Sequence, residues 1–197
     1  MTHKDFTTDN TAMLLIDHQV GTMGWVRSVS LEEMEMNTII LAKAAKAIGM
    51  PVVLTSSMED APQGPLMPQL QEILPDEFES RIKRGGIVNC WKDPDFSGAA
   101  RMTGKKNFIM AGVTTDVCLA PPAISAVAEG FGVKAVVDAS GSPTQIADDM
   151  AFRQMEQGGV YLTTTNALVA ELAGDWSSEA GMALITILGE EKLSKMS

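Results

Sequence analysis

The stretch FIMAGVTTDVCLAPPAISAVAEGF, residues 108–131, decides how this chain is expected to fold. It begins with a short apolar run that stops at Gly112, and two threonines, an aspartate and Cys118 follow. Pro121 and Pro122 then open a long apolar segment. A short apolar run is typical of a buried strand, and prolines are tolerated in the first turn of a helix. The stretch therefore predicts a buried strand that turns into a helix, with a cysteine at the turn.

The same alternation of strand and helix extends along the chain in both directions. Because the predicted strands are continuous apolar runs, both of their faces are expected to be covered. The predicted strands are residues 11–17, 51–56, 87–89, 107–111, 133–138 and 160–162. The predicted helices are residues 31–48, 95–102, 123–129, 146–155, 166–172 and 177–188, and residues 58–80 are predicted to be a long surface loop with one helical turn around 69–73.

This pattern predicts an α/β fold: a doubly wound, mostly parallel six-stranded sheet with helices on both faces. Residues 1–197 are expected to form a single domain, in which 1–10 are an N-terminal tail and 177–197 are a C-terminal helix and tail. In the common strand order 3-2-1-4-5-6, the ligand crevice lies outside the carboxyl ends of strands 1 and 4. Asp17 ends strand 1 and Cys118 follows strand 4, so the two side chains are expected on either side of that crevice.

Composition excludes several classes of function. The chain is 45% apolar and 20% charged, as in soluble globular proteins, and its net charge of −10 argues against a nucleic-acid partner. No apolar run is long enough to span a bilayer and the N-terminus lacks a secretory signal, so no membrane partner and a cytoplasmic location are expected. The two cysteines form no metal-binding pattern and no G-x-G-x-x-G follows the first strand, so neither a metal nor a cofactor is expected.

The two crevice residues each have a structural and a chemical interpretation. Cys118 is either a small buried apolar residue or a nucleophile at a helix start, where unpaired N–H groups would lower the pKa of its thiol. Asp17 either caps a loop or is a desolvated base that takes the thiol proton. The basic cluster at 81–84 is most simply solvated surface, although one member could reach the crevice. His18 should point away from Asp17, since adjacent strand residues face opposite sides, and Cys90 beside Trp91 is expected in the core.

The segments LLIDHQ (14–19), RGGIVNCW (84–91) and AGVTTDVCLAPPAISAVAEGF (111–131) resemble the isochorismatase-like cysteine hydrolases. The similarity is greatest to their YcaC-type subgroup, through VVLTSS, GPLMPQL, VVDASG and GDW, and it runs from about residue 11 to 176. The resemblance implies the α/β sheet described above and a catalytic triad in which Asp17 and Cys118 are two members. It also implies a cis peptide bond at Val113–Thr114.

The third member of the triad departs from the family pattern. Where most relatives have lysine, this chain has Arg84, with Lys83 next to it as the alternative. Arginine stays charged, so it would orient and stabilise rather than shuttle a proton. The metal-binding motif of the related nicotinamidases is also missing, since residues 55–65 are TSSMEDAPQGP.

These observations predict a hydrolase that attacks a small amide-like or other C–N substrate with Cys118 and passes through a thioester. Backbone N–H groups of Thr114 and Cys118 are expected to form the oxyanion hole, because no side chain between Gly112 and Cys118 is an obvious donor apart from threonine hydroxyls. The expected substrate-binding residues are Gln19, Trp25, Ser56 and Trp91. The alternatives are a catalytically idle oligomeric scaffold or metabolite-binding protein, and a vinyl ether hydrolase of the isochorismatase type.

The resemblance also implies a homo-oligomer, a tetramer or an octamer, whose subunits complete one another's pocket rims. The apolar segment SEAGMALITIL, residues 178–188, has few charges and fits either a subunit interface or a core helix packed on its own sheet.

Overall fold

The computed structural model describes residues 6–195 and contains one sheet of six parallel strands in the order β3-β2-β1-β4-β5-β6. This order and the helices on both faces confirm the predicted doubly wound α/β fold. The strands are β1 (Thr11–Ile16), β2 (Val52–Ser57), β3 (Ile82–Arg84), β4 (Asn107–Gly112), β5 (Gly132–Val136) and β6 (Tyr161–Thr163). The helices are α1 (Val20–Met23), α2 (Leu31–Ala47), α3 (Pro68–Ile73), α4 (Pro75–Glu79), α5 (Pro94–Met102), α6 (Ala120–Ala128), α7 (Gln145–Gln157), α8 (Thr165–Ala173) and α9 (Glu179–Glu191).

The central strand β1 is buried along its whole length because its alternate residues enter two different cores. Met13 and Leu15 pack with Leu41 of α2 on one face. Leu14 packs with Phe96 of α5 on the other face, where α6 and α7 also contribute. Burial on both faces explains why β1 and β4 are continuous apolar runs in the sequence.

The third strand is not where the sequence predicted it. Residues 87–89 are irregular, and Ile87 and Val88 are about half exposed. The strand is Ile82–Arg84, which pairs with Thr55–Ser57 of β2. Its buried terminal residue is an arginine, so apolar patterning could not reveal it.

The long segment after β2 is more ordered than predicted. It contains two short helices, α3 and α4, and each begins with a proline in its first turn. Proline suits this position because the first helical N–H groups have no partner within the helix.

The N-terminal end of the described chain differs from the predicted tail, whereas the predicted C-terminal helix is present as α9. Phe6 is buried in the core on the α2 face of the sheet, whereas residues 1–5 of the predicted tail lie outside the described residues. Helix α9 packs on α2 and α8 through Leu184 and Leu188, so it forms an outer layer rather than lying on the sheet. Among residues 6–195, no helix is long and apolar enough to cross a membrane.

Candidate active site

A cavity of about 390 Å³ opens at the carboxyl edge of the sheet, between β1 and β4. This is the point at which the strand order reverses, as the sequence predicted. Asp17, Arg84 and Cys118 all line this cavity, although they follow or end three different strands. Gly112 allows the close approach of β4 and β1 below it, because a Cβ at this position would lie only 3.2 Å from Cβ of Ile16.

Asp17 is held at the end of β1 by its backbone and by a buried ion pair. Its N–H donates to the carbonyl of Thr55 at 3.0 Å, and its φ of 57° turns the chain away from the strand direction. Nη2 of Arg84 donates to both carboxylate oxygens, at 2.5 Å for Oδ2. Burial raises the pKa of Asp17 above its ordinary value, although Arg84 and the Cys118 thiol act in the opposite direction.

Arg84 reaches Asp17 across the intervening strand β2. Its Nε donates to Oγ1 of Thr55 at 3.0 Å, its Nη1 donates to the carbonyl of Ile87 at 2.5 Å, and its side chain has no exposed surface. Burial alone would lower the pKa of Arg84, but the charge and hydrogen bonds of Asp17 outweigh it and raise this pKa. The guanidinium is therefore a permanently charged support for the carboxylate.

Lys83, the alternative third member, points elsewhere. Its side chain is 62% exposed and its ammonium lies 3.7 Å from Glu59, the same acid that pairs with Arg81. The structure thus brings Arg84, and not Lys83, into contact with Asp17.

Cys118 lies in a π-helical turn, Thr115–Leu119, that directly precedes α6. Its thiol lines the same cavity as the Asp17 carboxylate, and each group shifts the pKa of the other. The expectation of a lowered pKa is wrong: burial, followed by the charge and hydrogen bond of Asp17, raises the pKa of Cys118, and the nearby Arg84 only partly offsets this. A helix start could be inferred from the prolines, but the desolvation of the thiol depends on tertiary packing.

The loop before Cys118 has a cis peptide bond at Val113–Thr114, the position that the resemblance implies. The segment after β5 anchors this loop, because Thr115 N–H donates to the carbonyl of Gly141 at 2.9 Å. Among residues 6–195, the Thr114 N–H has no hydrogen-bond partner. The Cys118 N–H differs from the prediction, since it already donates to the Thr114 carbonyl at 2.7 Å and could serve an oxyanion only as a shared donor.

Neither His18 nor Cys90 lines the cavity. His18 is fully buried, and its Nε2 bonds to the carbonyl of Ala139 at 2.9 Å. Burial lowers the pKa of His18 to about 4, so its ring is neutral near pH 7. Cys90 has no exposed surface and belongs to the core beside α5.

Only two of the four predicted substrate-binding residues reach the cavity. Gln19 and Trp25 line it, and the Gln19 amide also holds the chain by donating to the carbonyl of Ser57 at 2.9 Å. Ser56 instead points to Glu59, with Oγ donating to Oε1 at 2.7 Å. Trp91 is buried in an aromatic cluster, so neither Ser56 nor Trp91 lines the cavity.

Other lining residues were missed by the sequence prediction. They include Ser57, Met58, Gln63, Val88, Asp116 and Pro143. The strand period shows that Ser56 and Ser57 face opposite sides of β2, but it does not say which of the two faces the cavity. Met58 and Gln63 depend on the path of the loop after β2, for which the sequence carries no comparable signal. No group of three or more His, Cys, Asp or Glu side chains that could hold a metal ion occurs in the described part of the chain.

A doubly wound parallel sheet with its cavity at the carboxyl edge is the architecture of an α/β enzyme. Residues 11–167 match the isochorismatase domain family. Over 171 residues, 87% of this chain and 81% of the relative, the sequence is 40% identical to "Probable hydrolase YcaC" of Escherichia coli. The chain therefore belongs to the isochorismatase family of hydrolases, and its sequence is similar to the YcaC proteins within that family.

Two solved structures of such proteins superpose closely on this chain. YcaC from Pseudomonas aeruginosa, described with hexane-2,5-diol and covalent acrylamide, is 38% identical with a TM-score of 0.94, and the match covers 100% of this chain and 96% of that one. The YcaC gene product of Escherichia coli, described as an octameric hydrolase of unknown specificity, is 37% identical with a TM-score of 0.93. That match covers 100% of this chain and 95% of the other.

Proposed function

We propose that this protein hydrolyses a small amide-like or other C–N substrate with Cys118 as the nucleophile. The observation that carries the proposal is the position of the Cys118 thiol and a buried carboxylate, Asp17, in the wall of one cavity, close enough for each to shift the pKa of the other. A thiol with a raised pKa is a poor nucleophile by itself, and a base in hydrogen-bond contact is what activates such a group.

The first half of the reaction forms a thioester. Asp17 takes the thiol proton as the sulfur of Cys118 bonds to the carbonyl carbon of the substrate, and the carbonyl oxygen becomes an oxyanion. The C–N bond then breaks as Asp17 returns the proton to the departing nitrogen. The raised pKa of Asp17 suits both roles, because it brings this carboxyl closer to the working pH than an ordinary aspartate.

The second half of the reaction regenerates the thiol. Asp17 removes a proton from water as the water oxygen attacks the thioester carbon, and the C–S bond breaks to release a carboxylic acid. Asp17 then returns the proton to the sulfur. Arg84 stays charged throughout and keeps the carboxylate aimed at Cys118.

Stabilisation of the oxyanion is assigned to the backbone N–H of Thr114. This N–H has no partner among residues 6–195, and Thr114 lines the cavity beside Cys118. The Cys118 N–H would contribute by sharing its hydrogen between the Thr114 carbonyl and the oxyanion. One such donor contributes about 3–4 kcal/mol to stabilisation of a transition state.

The solved relative that carries covalent acrylamide supports the nucleophile part of the proposal, since acrylamide forms adducts with reactive nucleophiles through its C=C bond. Because the similar YcaC gene product of Escherichia coli is described as octameric, we propose that this protein is a homo-oligomer, a tetramer or an octamer. We further propose that it acts on a small molecule in the cytoplasm without a metal or cofactor. The net charge of −10 is consistent with the absence of nucleic-acid partners.

The test is a panel of small amides, carbamoyl compounds and nitriles assayed with the wild type and with Cys118→Ala. Hydrolysis by the wild type that is lost in Cys118→Ala is the expected result. Hydrolysis that survives in Cys118→Ala would remove the cysteine mechanism whatever the substrate. Failure of the wild type on every compound, with equal and slow alkylation of both cysteines, would favour an idle scaffold. Light scattering that gives the mass of a monomer at micromolar concentration would refute the proposed oligomer.

A further inference from the structure

Among the described residues, three charged side chains line the cavity: Asp17, Arg84 and Asp116. The first two form a buried ion pair and neutralise each other. Every nitrogen of the Arg84 guanidinium already bonds to the protein, and its side chain has no exposed surface, so it has no free face for a substrate anion. The wall of the cavity therefore offers a substrate no available positive charge within the described chain.

Basic residues close to the lining in sequence do not change this. Arg27 follows Trp25 by two residues, but it does not line the cavity, and its Nη1 donates to the carbonyls of Gly24 and Val26 at 2.8 and 2.6 Å. Lys83 precedes Arg84, but its exposed ammonium lies near Glu59 and outside the lining. A carboxylate or phosphate on the substrate would lose water in this cavity without gaining a cationic partner, which is unfavourable.

Asp116 adds a negative charge that no ion pair of the described residues compensates. Two hydrogen bonds with Ser142 fix the position of Asp116. Oδ1 of Asp116 accepts from Oγ of Ser142 at 3.1 Å, and the backbone N–H of Asp116 donates to Oγ of Ser142 at 3.3 Å. The second carboxylate oxygen, Oδ2, makes no hydrogen bond within residues 6–195. It is therefore an acceptor that remains open to a substrate group carrying N–H or positive charge.

The remaining lining is mostly apolar. Trp25, Met58, Val88 and Val117 line the cavity, and each is between 42% and 60% exposed. Such side chains gain from contact with an apolar substrate body and cannot solvate a charge. The net charge of the whole protein, −10, also repels anions during approach.

Resting on the hydrolase function proposed above, we propose that this site takes an uncharged or cationic amide-type substrate with an apolar body and excludes anionic ones. Asp116 is the residue that sets this preference.

The test uses three methanethiosulfonate reagents that are neutral, cationic (trimethylammonium) and anionic (sulfonate). Each converts a thiol to a mixed disulfide and releases methanesulfinate, and mass spectrometry of the Cys118 peptide gives its rate. The same three rates on N-acetylcysteine correct for the intrinsic reactivity of the reagents. After this correction, we expect the cationic reagent to modify Cys118 about tenfold or more faster than the anionic one, since a charged cleft changes association rates by such factors.

Two variants show whether Asp116 is responsible. Asp116→Asn keeps an oxygen that can accept from Ser142 and should lower the corrected cation-to-anion ratio about tenfold. As a control, Asp76→Asn removes one negative charge from α4, which lies beside the residues before β2 and outside the cavity lining. This change should leave the ratio unchanged. In the wild type, added salt should also lower the ratio, because salt screens charge interactions.

A corrected ratio near one in the wild type would overturn the proposal, as would a ratio that neither Asp116→Asn nor salt changes. Its failure is distinct from that of the hydrolase function. If the reagents show charge selection but no neutral amide is hydrolysed, the proposed hydrolase function is refuted and the charge selectivity stands. If neutral and carboxylate-bearing amides are hydrolysed at equal rates, only the charge selectivity is refuted.

Discussion

Cys90 and Cys118 have the same side chain, belong to the same side of the sheet and lie within the electrostatic influence of Asp17 and Arg84. Burial raises the pKa of both thiols. Their surroundings differ: Cys118 lines a cavity whose wall also contains Asp17, whereas Cys90 has no exposed surface and belongs to the core. Under the proposed mechanism, the reactivity of Cys118 would depend on access and on the neighbouring carboxylate, not on a thiol that is acidic at rest.

The largest expected effect comes from removing each cysteine in turn. Cys118→Ala should lower kcat/KM for a hydrolysed amide by about 10⁴-fold or more, because the bond-forming atom is lost. Cys90→Ala should keep kcat/KM within a few-fold of wild type and lower the free energy of unfolding by about 1 kcal/mol, since a small buried group is removed. Steady-state kinetics and urea unfolding of both variants measure this. Equal losses of activity in the two variants would show that Cys118 has no special role.

Replacing the base should have the next largest effect. Asp17→Asn keeps a similar shape but cannot accept the thiol proton, so we expect kcat/KM to fall by about 10²–10⁴-fold. In the wild type, kcat/KM should fall as the pH drops through the pKa of Asp17, which burial places above its ordinary value of 3.8, because the base is then protonated. In Asp17→Asn this acidic limb should be absent. Identical pH profiles for the two proteins would contradict the assignment of Asp17.

The role of Arg84 in holding Asp17 is tested by substituting Arg84 and its neighbour Lys83 separately. Arg84→Lys loses the fork that bonds to Asp17, Thr55 and the Ile87 carbonyl, and should lower the free energy of unfolding by about 3 kcal/mol, as for a broken buried pair. The matched change Lys83→Ala removes an exposed ammonium and should cost about 0.5 kcal/mol or less. Urea unfolding of the two variants measures these losses. A larger loss of unfolding free energy in Lys83→Ala than in Arg84→Lys would show that Arg84 is not the residue whose charge stabilises the fold.

The smallest expected effect concerns Glu59, an acid whose pKa shifts in the opposite direction to that of Asp17. Hydrogen bonds from Arg81 lower the pKa of Glu59 to about 2, from 4.5. The pair with Arg81 should therefore stabilise the fold fully above pH 4.5, and this stabilisation should be lost as the pH falls towards 2. We expect Glu59→Gln to lower stability by about 0.5–1 kcal/mol at pH 7, since the pair is partly solvated.

Unfolding of Glu59→Gln and wild type across this pH range measures the difference, which should shrink as the pH falls. A difference that stays constant from pH 7 to pH 2 would mean that the ion pair with Arg81 is not its source.

The sequence predicted β1 and β4, and with them the positions of Asp17 and Cys118, because both strands are buried on two faces and appear as continuous apolar runs. It failed at β3 for a physical reason. The buried residue of that strand is Arg84, and burial of a guanidinium depends on a partner, Asp17, that is 67 residues away in the chain. A local pattern carries no signal for such an ion pair.

The rest of the site required tertiary structure in the same way. Ser56 and Ser57 differ only in which side of β2 they face, and the sequence could not decide the end of the strand to within one residue. The pKa of Cys118 was predicted from the helix start, but desolvation is the largest influence on it, and that depends on how the helices cover the turn.

The measurement that tests the central claim most directly is timed alkylation of the folded protein with iodoacetamide at pH 7, followed by peptide mapping of both cysteines. In the wild type we expect Cys118 to be modified about 100-fold or more faster than Cys90, because Cys90 becomes accessible only when the core opens. In Asp17→Asn the charge that raises the pKa of Cys118 is gone, so alkylation of Cys118 should be no slower than in the wild type, whereas kcat/KM for amide hydrolysis should still fall because the base is lost. Equal and slow modification of both cysteines, or amide hydrolysis that is unchanged in Asp17→Asn, would contradict the account.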